Sequence, residues 1–219
     1  MTYLGIDLGT SGVKALLLDD SQKIIASADG TLSVSRPRSG WSEQDPADWI
    51  TAAKTALGSL KKSHPTELAA VTGIGLSGQM HGATLLGKDN DVLRPCMLWN
   101  DTRSHAEAAR LDADPQFRSI SGNIVFPGFT APKIEWVRGN EAETFSNLKM
   151  VLLPKDYLRL WLTGEAVSEM SDASGTSWLN VAERDWSDTL LEACHLDRSF
   201  MPSLVEGNAP SGKLRSELA

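Results

Sequence analysis

Cysteine is scarce: Cys96 and Cys194 stand far apart in 219 residues and belong to no motif. That argues against a disulfide framework and leads us to expect free thiols in a reducing compartment. Histidine is scarce as well. His64, His105 and His195 share no ligand-like spacing with one another or with the cysteines, so no zinc site is expected. Long basic runs are missing. The densest short basic stretch is Arg36-Pro37-Arg38, against a formal net charge of −7. This argues against a nucleic-acid or anionic-membrane partner on electrostatic grounds. No apolar run approaches the ~20 residues of a membrane span, and the N-terminus has neither the basic nor the apolar region of a secretory signal. A soluble, cytoplasmic protein is the expectation. Repeats and low-complexity tracts are also lacking. The composition that remains, 41% hydrophobic and 22% charged, is that of a globular chain with enough residues for a sizeable core.

The chain opens on apolar stretches that read as strands. Residues 3 to 8 and 13 to 19 are two strands of similar character, and 23 to 35 reads as a third with a kink at Asp29-Gly30. Turns this short allow only antiparallel pairing, so the start is a three-stranded meander. A helix follows with a well-marked start: Asp45 as N-cap, Pro46 in the first helical position, Asp48 in the first turn. Trp49, Ala53, Leu57 and Leu60 share one face, and Lys61 and Lys62 lie at the cation-favouring end. Glu43 and Asp45 could be paired carboxylates for acid–base work, but the cap explains Asp45 fully. Residues 68 to 78 read as a buried, glycine-interrupted strand. "ATLLGKDNDVLRPCMLW" reads as a hairpin turning at Lys88 to Asp91, after which Asn100 or Asp101 caps a helix reaching about Leu111. Further helices are expected near 131–139, 154–162 and 187–194, with "SWLNVAERDW" as strand and turn and few apolar residues after 205. The order gives an α/β fold with a mixed sheet rather than a doubly wound parallel one.

The most informative stretch is "YLGIDLGTSGVKALLLDD", residues 3 to 20. A glycine-rich turn that follows a strand often binds phosphate, but in dinucleotide and P-loop folds it leads into a helix. Here it leads into another strand. Gly9, Thr10, Ser11 and Gly12 therefore form a hairpin tip. Two readings remain at this point. In one, the glycines merely satisfy turn geometry. In the other, the backbone N–H groups around Gly9 and the hydroxyls of Thr10 and Ser11 bind phosphate, Lys14 adds a positive charge, and Asp7 holds Mg²⁺ directly or through water. The second is the logic of an ATP-handling site.

The motifs "GIDLGTSGVK", "WSEQDP", "GLSGQMHG", "LWNDTRS", "GNIVFPGFTAPK", "LLPKDYLRLWLTGE" and "SDASGT" occur in that order. Together they resemble the carbohydrate kinases that include glycerol kinase, gluconokinase and xylulokinase, within the sugar-kinase, Hsp70 and actin superfamily. The resemblance covers essentially the whole chain. "GQMHG", "GFTAPK" and "LPKDYLR" look like the xylulokinase branch; glycerol kinases carry an Arg-Glu pair where this chain has Met80-His81.

The resemblance implies a ribonuclease-H-like (actin-like ATPase) domain and a reaction of ATP with D-xylulose, the C5 hydroxyl attacking the γ-phosphoryl group with Mg²⁺ neutralising charge. It implies that Met80 and His81 contact the sugar. By side-chain chemistry alone, a Trp99 face can pack on sugar C–H groups and the Asp101 carboxylate can bind hydroxyls. The alternatives are that His81 only satisfies its own turn, that Trp99 is core and that Asp101 is a helix cap. The family's base is an Asp in a Gly-Asp-Asn segment, which this chain does not contain. Residues 1–205 are therefore expected to be a sugar-binding N-terminal domain, and 206–219 the start of a connection to a C-terminal ATP-binding domain. The chain alone is expected to be inactive, and an interface left uncovered could support a homodimer. A related kinase for another sugar or polyol, a non-catalytic sugar-binding module and an Hsp70- or actin-like ATPase are the competing readings.

Overall fold

The structure, a computed structural model, describes all 219 residues, Met1 to Ala219. In chain order the elements are β1 (Thr2–Leu8), β2 (Gly12–Asp19), β3 (Ile24–Thr31), β4 (Glu43–Gln44), α1 (Pro46–Ser63), α2 (Pro65–Ala69), β5 (Val71–Gly78), β6 (Thr84–Leu86) and β7 (Cys96–Met97). There follow α3 (His105–Asp112), α4 (Pro115–Ser121), α5 (Thr130–Asn140), α6 (Ala142–Asn147), β8 (Met150–Leu152), α7 (Pro154–Thr163), β9 (Val167–Glu169), α8 (Met170–Ser174), β10 (Leu179–Asn180), β11 (Asp185–Trp186), α9 (Asp188–Glu192) and β12 (Ser203–Val205). They form two compact units, Met1–Val34 with Asp45–Gln79 and Ser35–Gln44 with Met80–Ala219.

The first unit is a four-stranded sheet in the order β3-β2-β1-β5. β1 to β3 form the antiparallel meander and β5 runs parallel to β1. Alternation along β1 and β2 puts Leu4, Ile6, Leu8, Val13, Ala15 and Leu17 on one face, where they pack with Trp49, Ala52, Ala53, Ala56 and Leu60 of α1. The N-cap is as the sequence predicts: Asp45 accepts the N–H of Ala47 at 2.9 Å ahead of Pro46. Ala52 and Ala56 join the buried stripe, and Leu57 is only half-buried. No kink falls at Asp29-Gly30, which stay in register with Lys14 and Val13; the irregularity lies further back, opposite Leu17 and Leu18. Gly30 has another purpose. A Cβ there would sit 2.2 Å from the Ala52 carbonyl oxygen, so its bare Cα is what lets α1 lie against β3. The strand expected at 68–78 also needs correction. Leu68 and Ala69 end the short helix α2, and no residue of β5 is fully buried, because it is an edge strand.

The second unit has no large sheet. Its strands pair in twos, β4 with β7, β6 with β8 and β10 with β11 antiparallel, and β9 with β12 parallel. The hairpin predicted at 83–99 turns where expected but keeps only the isolated bridges Leu86–Val92 and Ala83–Met97, since β6 and β7 find their main partners elsewhere. The core gathers Phe117, Ile134, Val137, Trp178, Leu190 and Leu191, each fully buried. Burial of a side chain that size is worth ~1.5–3 kcal/mol. Helix α9 is shorter than the 187–194 predicted, and most of "SDASGT" lies in α8. Asp101 is not a helix cap: α3 starts four residues later, with Ser104 before it. Both cysteines are buried and unpaired.

Candidate functional site

In the first unit the chemistry gathers at one end of the sheet. The hairpin closes with Gly9 N–H donating to Gly12 O at 2.9 Å, leaving Thr10 and Ser11 at the tip. Pairing places Asp7 of β1 opposite Lys14 of β2 and, in parallel register, beside Ser77 of β5. Ser77 donates its hydroxyl proton to Asp7 Oδ1 at 2.6 Å, and Thr10 donates to Gln79 Oε1 at 3.0 Å. Asp7 and Lys14 are thus cross-strand neighbours on the strands that the Thr10 tip joins. Lys14 lies 3.0 Å from Asp29 with both side chains more than half exposed, a pairing worth at most ~1 kcal/mol and easily exchanged. Ser77 and Gln79 are partners that sequence reasoning missed. Both sit in "GLSGQMHG", but only the register of β5 on β1 shows what they touch.

In the second unit Met80 and His81 follow directly. His81 holds a left-handed φ of 63°, uncommon for a residue with a side chain. Its ring lies 4.5 Å from that of Phe129, and on another side it meets Gly175, where a Cβ would come within 2.3 Å. Burial, then the neighbouring Lys133 charge, depresses the imidazole to about 4. His81 is thus neutral near pH 7 and can both donate and accept. Met80 and Trp99 are about half exposed, at 53% and 47%, so Trp99 is not core.

Asp101 is placed differently. It is fully buried, with Oδ1 accepting from Arg103 N at 3.0 Å and Arg103 Nε at 2.9 Å. Oδ2 accepts from Arg103 Nη2 at 2.6 Å and from Ser42 N at 2.7 Å. Arg103 also reaches Glu43 at 2.7 Å and lies 3.5 Å over the Trp41 ring. The carboxylate is engaged on every side. Asp156 is similar: it accepts from Lys155 Nζ at 2.5 Å and Ser168 Oγ at 2.6 Å. Lys155 also serves Asp172, whose carboxyl burial pushes up to about 6.

No three histidine, cysteine or carboxylate side chains gather as a metal cage. Asp7, a lone exposed carboxylate with a hydroxyl beside it, is a donor set suited to a cation that keeps most of its waters.

An antiparallel meander joined in parallel to a further strand, with an acid at the first strand's end and a hydroxyl-tipped turn after it, is the actin-like α/β architecture. The chain belongs to the FGGY family of carbohydrate kinases: the model of that family's N-terminal domain matches residues 2–219. It is 55% identical over 218 residues to a xylulose kinase of Klebsiella pneumoniae, and 53% identical over the same length to one of Escherichia coli K12. In each case the alignment covers 99% of this chain and 45% of the relative. A crystal structure described as a xyloylose kinase from Brucella ovis matches with a TM-score of 0.98 and 63% identity, over 99% of this chain and 46% of that one. The chain thus spans a little under half the length of these relatives.

Proposed function

We propose that this chain is the N-terminal, sugar-binding part of an ATP-dependent kinase that converts D-xylulose to D-xylulose 5-phosphate. The observation that carries this reading is the end-to-end likeness to xylulose kinases at more than half identity. In this reading residues 1–205 are the sugar-binding domain, and 206–219 lead toward an ATP-binding domain.

The neutral imidazole of His81 exchanges hydrogen bonds with sugar hydroxyls, and the exposed faces of Met80 and Trp99 pack on its C–H groups. Asp101 keeps its carboxylate on Arg103 and Ser42 and holds the turn after Trp99 in shape. Gly9, Thr10, Ser11 and Lys14 orient the phosphates. Asp7, steadied by Ser77, would hold Mg²⁺ directly or through water, and the cation would supply charge neutralisation for the transferring group. An alcohol nucleophile must lose its proton. Asp101 and Asp156 are tied into buried pairs, and Asp7 is committed to the phosphate end, so this chain supplies no base of its own. By itself it is expected not to turn over.

The test is ADP release by the 219-residue chain, and by the longer enzyme that contains it, with D-xylulose, glycerol and gluconate. The expected result is turnover by the longer enzyme alone, with kcat/KM highest for D-xylulose. A higher kcat/KM for glycerol or gluconate would overturn the substrate assignment, and robust turnover by the 219-residue chain would overturn the absence of a base.

A further inference from the structure

Lys133 of α5 is completely buried, which is rare for lysine. It makes no ion pair. Its Nζ donates instead to two backbone carbonyls, His81 O at 2.9 Å and Gly128 O at 2.7 Å. Thr130, one turn earlier on the same helix, donates its hydroxyl to the same His81 carbonyl at 3.2 Å. Gly128 in turn lies under Trp99, where a Cβ would come 2.3 Å from the Trp99 carbonyl oxygen. One buried amine therefore ties the turn that carries Met80 and His81 to the Gly128 loop, which lies against the Trp99 backbone.

We propose that Lys133 is a positioning residue for the sugar: it clamps the His81 turn to the Gly128 loop. The inference rests on the sugar-kinase reading above. Two further observations support it. First, His81 holds a φ that costs a side-chain-bearing residue of order 1 kcal/mol and that persists only where its surroundings impose it. A fixed carbonyl at that residue supplies such a constraint. Second, the site is poor for a cation. Burial lowers the amine to about 7, with Asp101 and the Cys96 thiol the nearby groups that favour its charge and Arg103 opposing it. An apolar side chain would fill the space without that penalty. A lysine whose only strong contacts are the carbonyls of two site loops is explained by what it does for those loops.

The experiment uses the longer enzyme with Lys133→Met, which keeps an unbranched stem and removes the donors. The KM for sugar should rise roughly 10- to 100-fold. The KM for ATP and kcat at saturating sugar should stay close to the parent's, a split that a merely destabilising change would not give. Amide exchange should quicken in 80–82 and 126–130 and not in 2–19. A sugar KM within twofold of the parent, or unchanged exchange in both loops, overturns the proposal. Should Lys133→Met fail to fold, Thr130→Val removes the companion donor at constant volume. A few-fold rise in sugar KM with faster exchange at 80–82 then supports the clamp, and parent behaviour overturns it. An enzyme that phosphorylates no sugar would refute the parent reading instead, while the exchange data still judge the clamp.

Discussion

Replacing Asp101 by alanine tests whether the second unit is held by its buried charges. The carboxylate is fully buried and accepts four hydrogen bonds, three from Arg103 and one from the Ser42 amide. Its loss strands a guanidinium that is itself about 1% exposed, although Glu43 at 2.7 Å and the Trp41 face retain part of its charge. Breaking one side of such a pair costs ~3–5 kcal/mol, and an unmet buried amide adds ~1–3 kcal/mol. With Glu43 offsetting part of this, we expect about 4 kcal/mol, a large share of the ~5–15 kcal/mol that stabilises a typical domain. Asp101→Asn should fall between, since it keeps the volume and one acceptor but turns a donor toward donors. Urea unfolding followed by tryptophan fluorescence reads this directly, because Trp41 stacks on Arg103. With a slope of ~2 kcal/mol per molar, the midpoint should drop by about 2 M. Arg118→Ala, which breaks the more exposed pair with Asp112, is the control and should leave the midpoint close to the parent's. A loss below about 1 kcal/mol for Asp101→Ala at unchanged slope would refute the reasoning.

In the longer enzyme, Asp7→Ala should collapse turnover and leave sugar binding nearly intact by calorimetry; loss of sugar binding would place Asp7 in the wrong part of the site. Lys133 predicts a pH effect of definite sign. Its folded value of about 7 lies below the ordinary 10.5, so the unfolded chain binds the extra proton between them. The parent should therefore gain stability relative to Lys133→Met as pH rises from about 7 to about 9, by up to ~3 kcal/mol, and lose it again as pH falls toward 7. Parallel urea midpoints for the two proteins across that range would contradict this.

What could be read from the sequence was what is encoded locally. Asp45-Pro46 marks a helix start within three residues, and the short turn between two apolar runs leaves β1 and β2 no other pairing. Strands of two or three residues such as β8, β9 and β12 carry no periodicity to detect. Burial of β5 could not be judged from its apolar residues, since an edge strand has the composition of a central one. Asp101 illustrates the limit at the site. An acid at the start of a polar turn reads as a helix cap, and its second partner, Ser42, lies 59 positions away. Lys133 was invisible for the same reason, because nothing in "FTAPK" says that the lysine points inward.

The parallel seam between β1 and β5 also sets an order of assembly. The β1–β2 hairpin closes on neighbours, but the bonds from Ser77 to Asp7 and from Thr10 to Gln79 span 70 and 69 positions. A parallel partner reaches its place only after a crossover, here α1 and α2, has docked. Closing so long a loop is slow compared with forming a hairpin. The meander therefore precedes its fourth strand during folding, and the phosphate end is the last part of its sheet to become whole. Mutations in β5 that weaken the seam should therefore slow folding, since the slow closure is the step they act on.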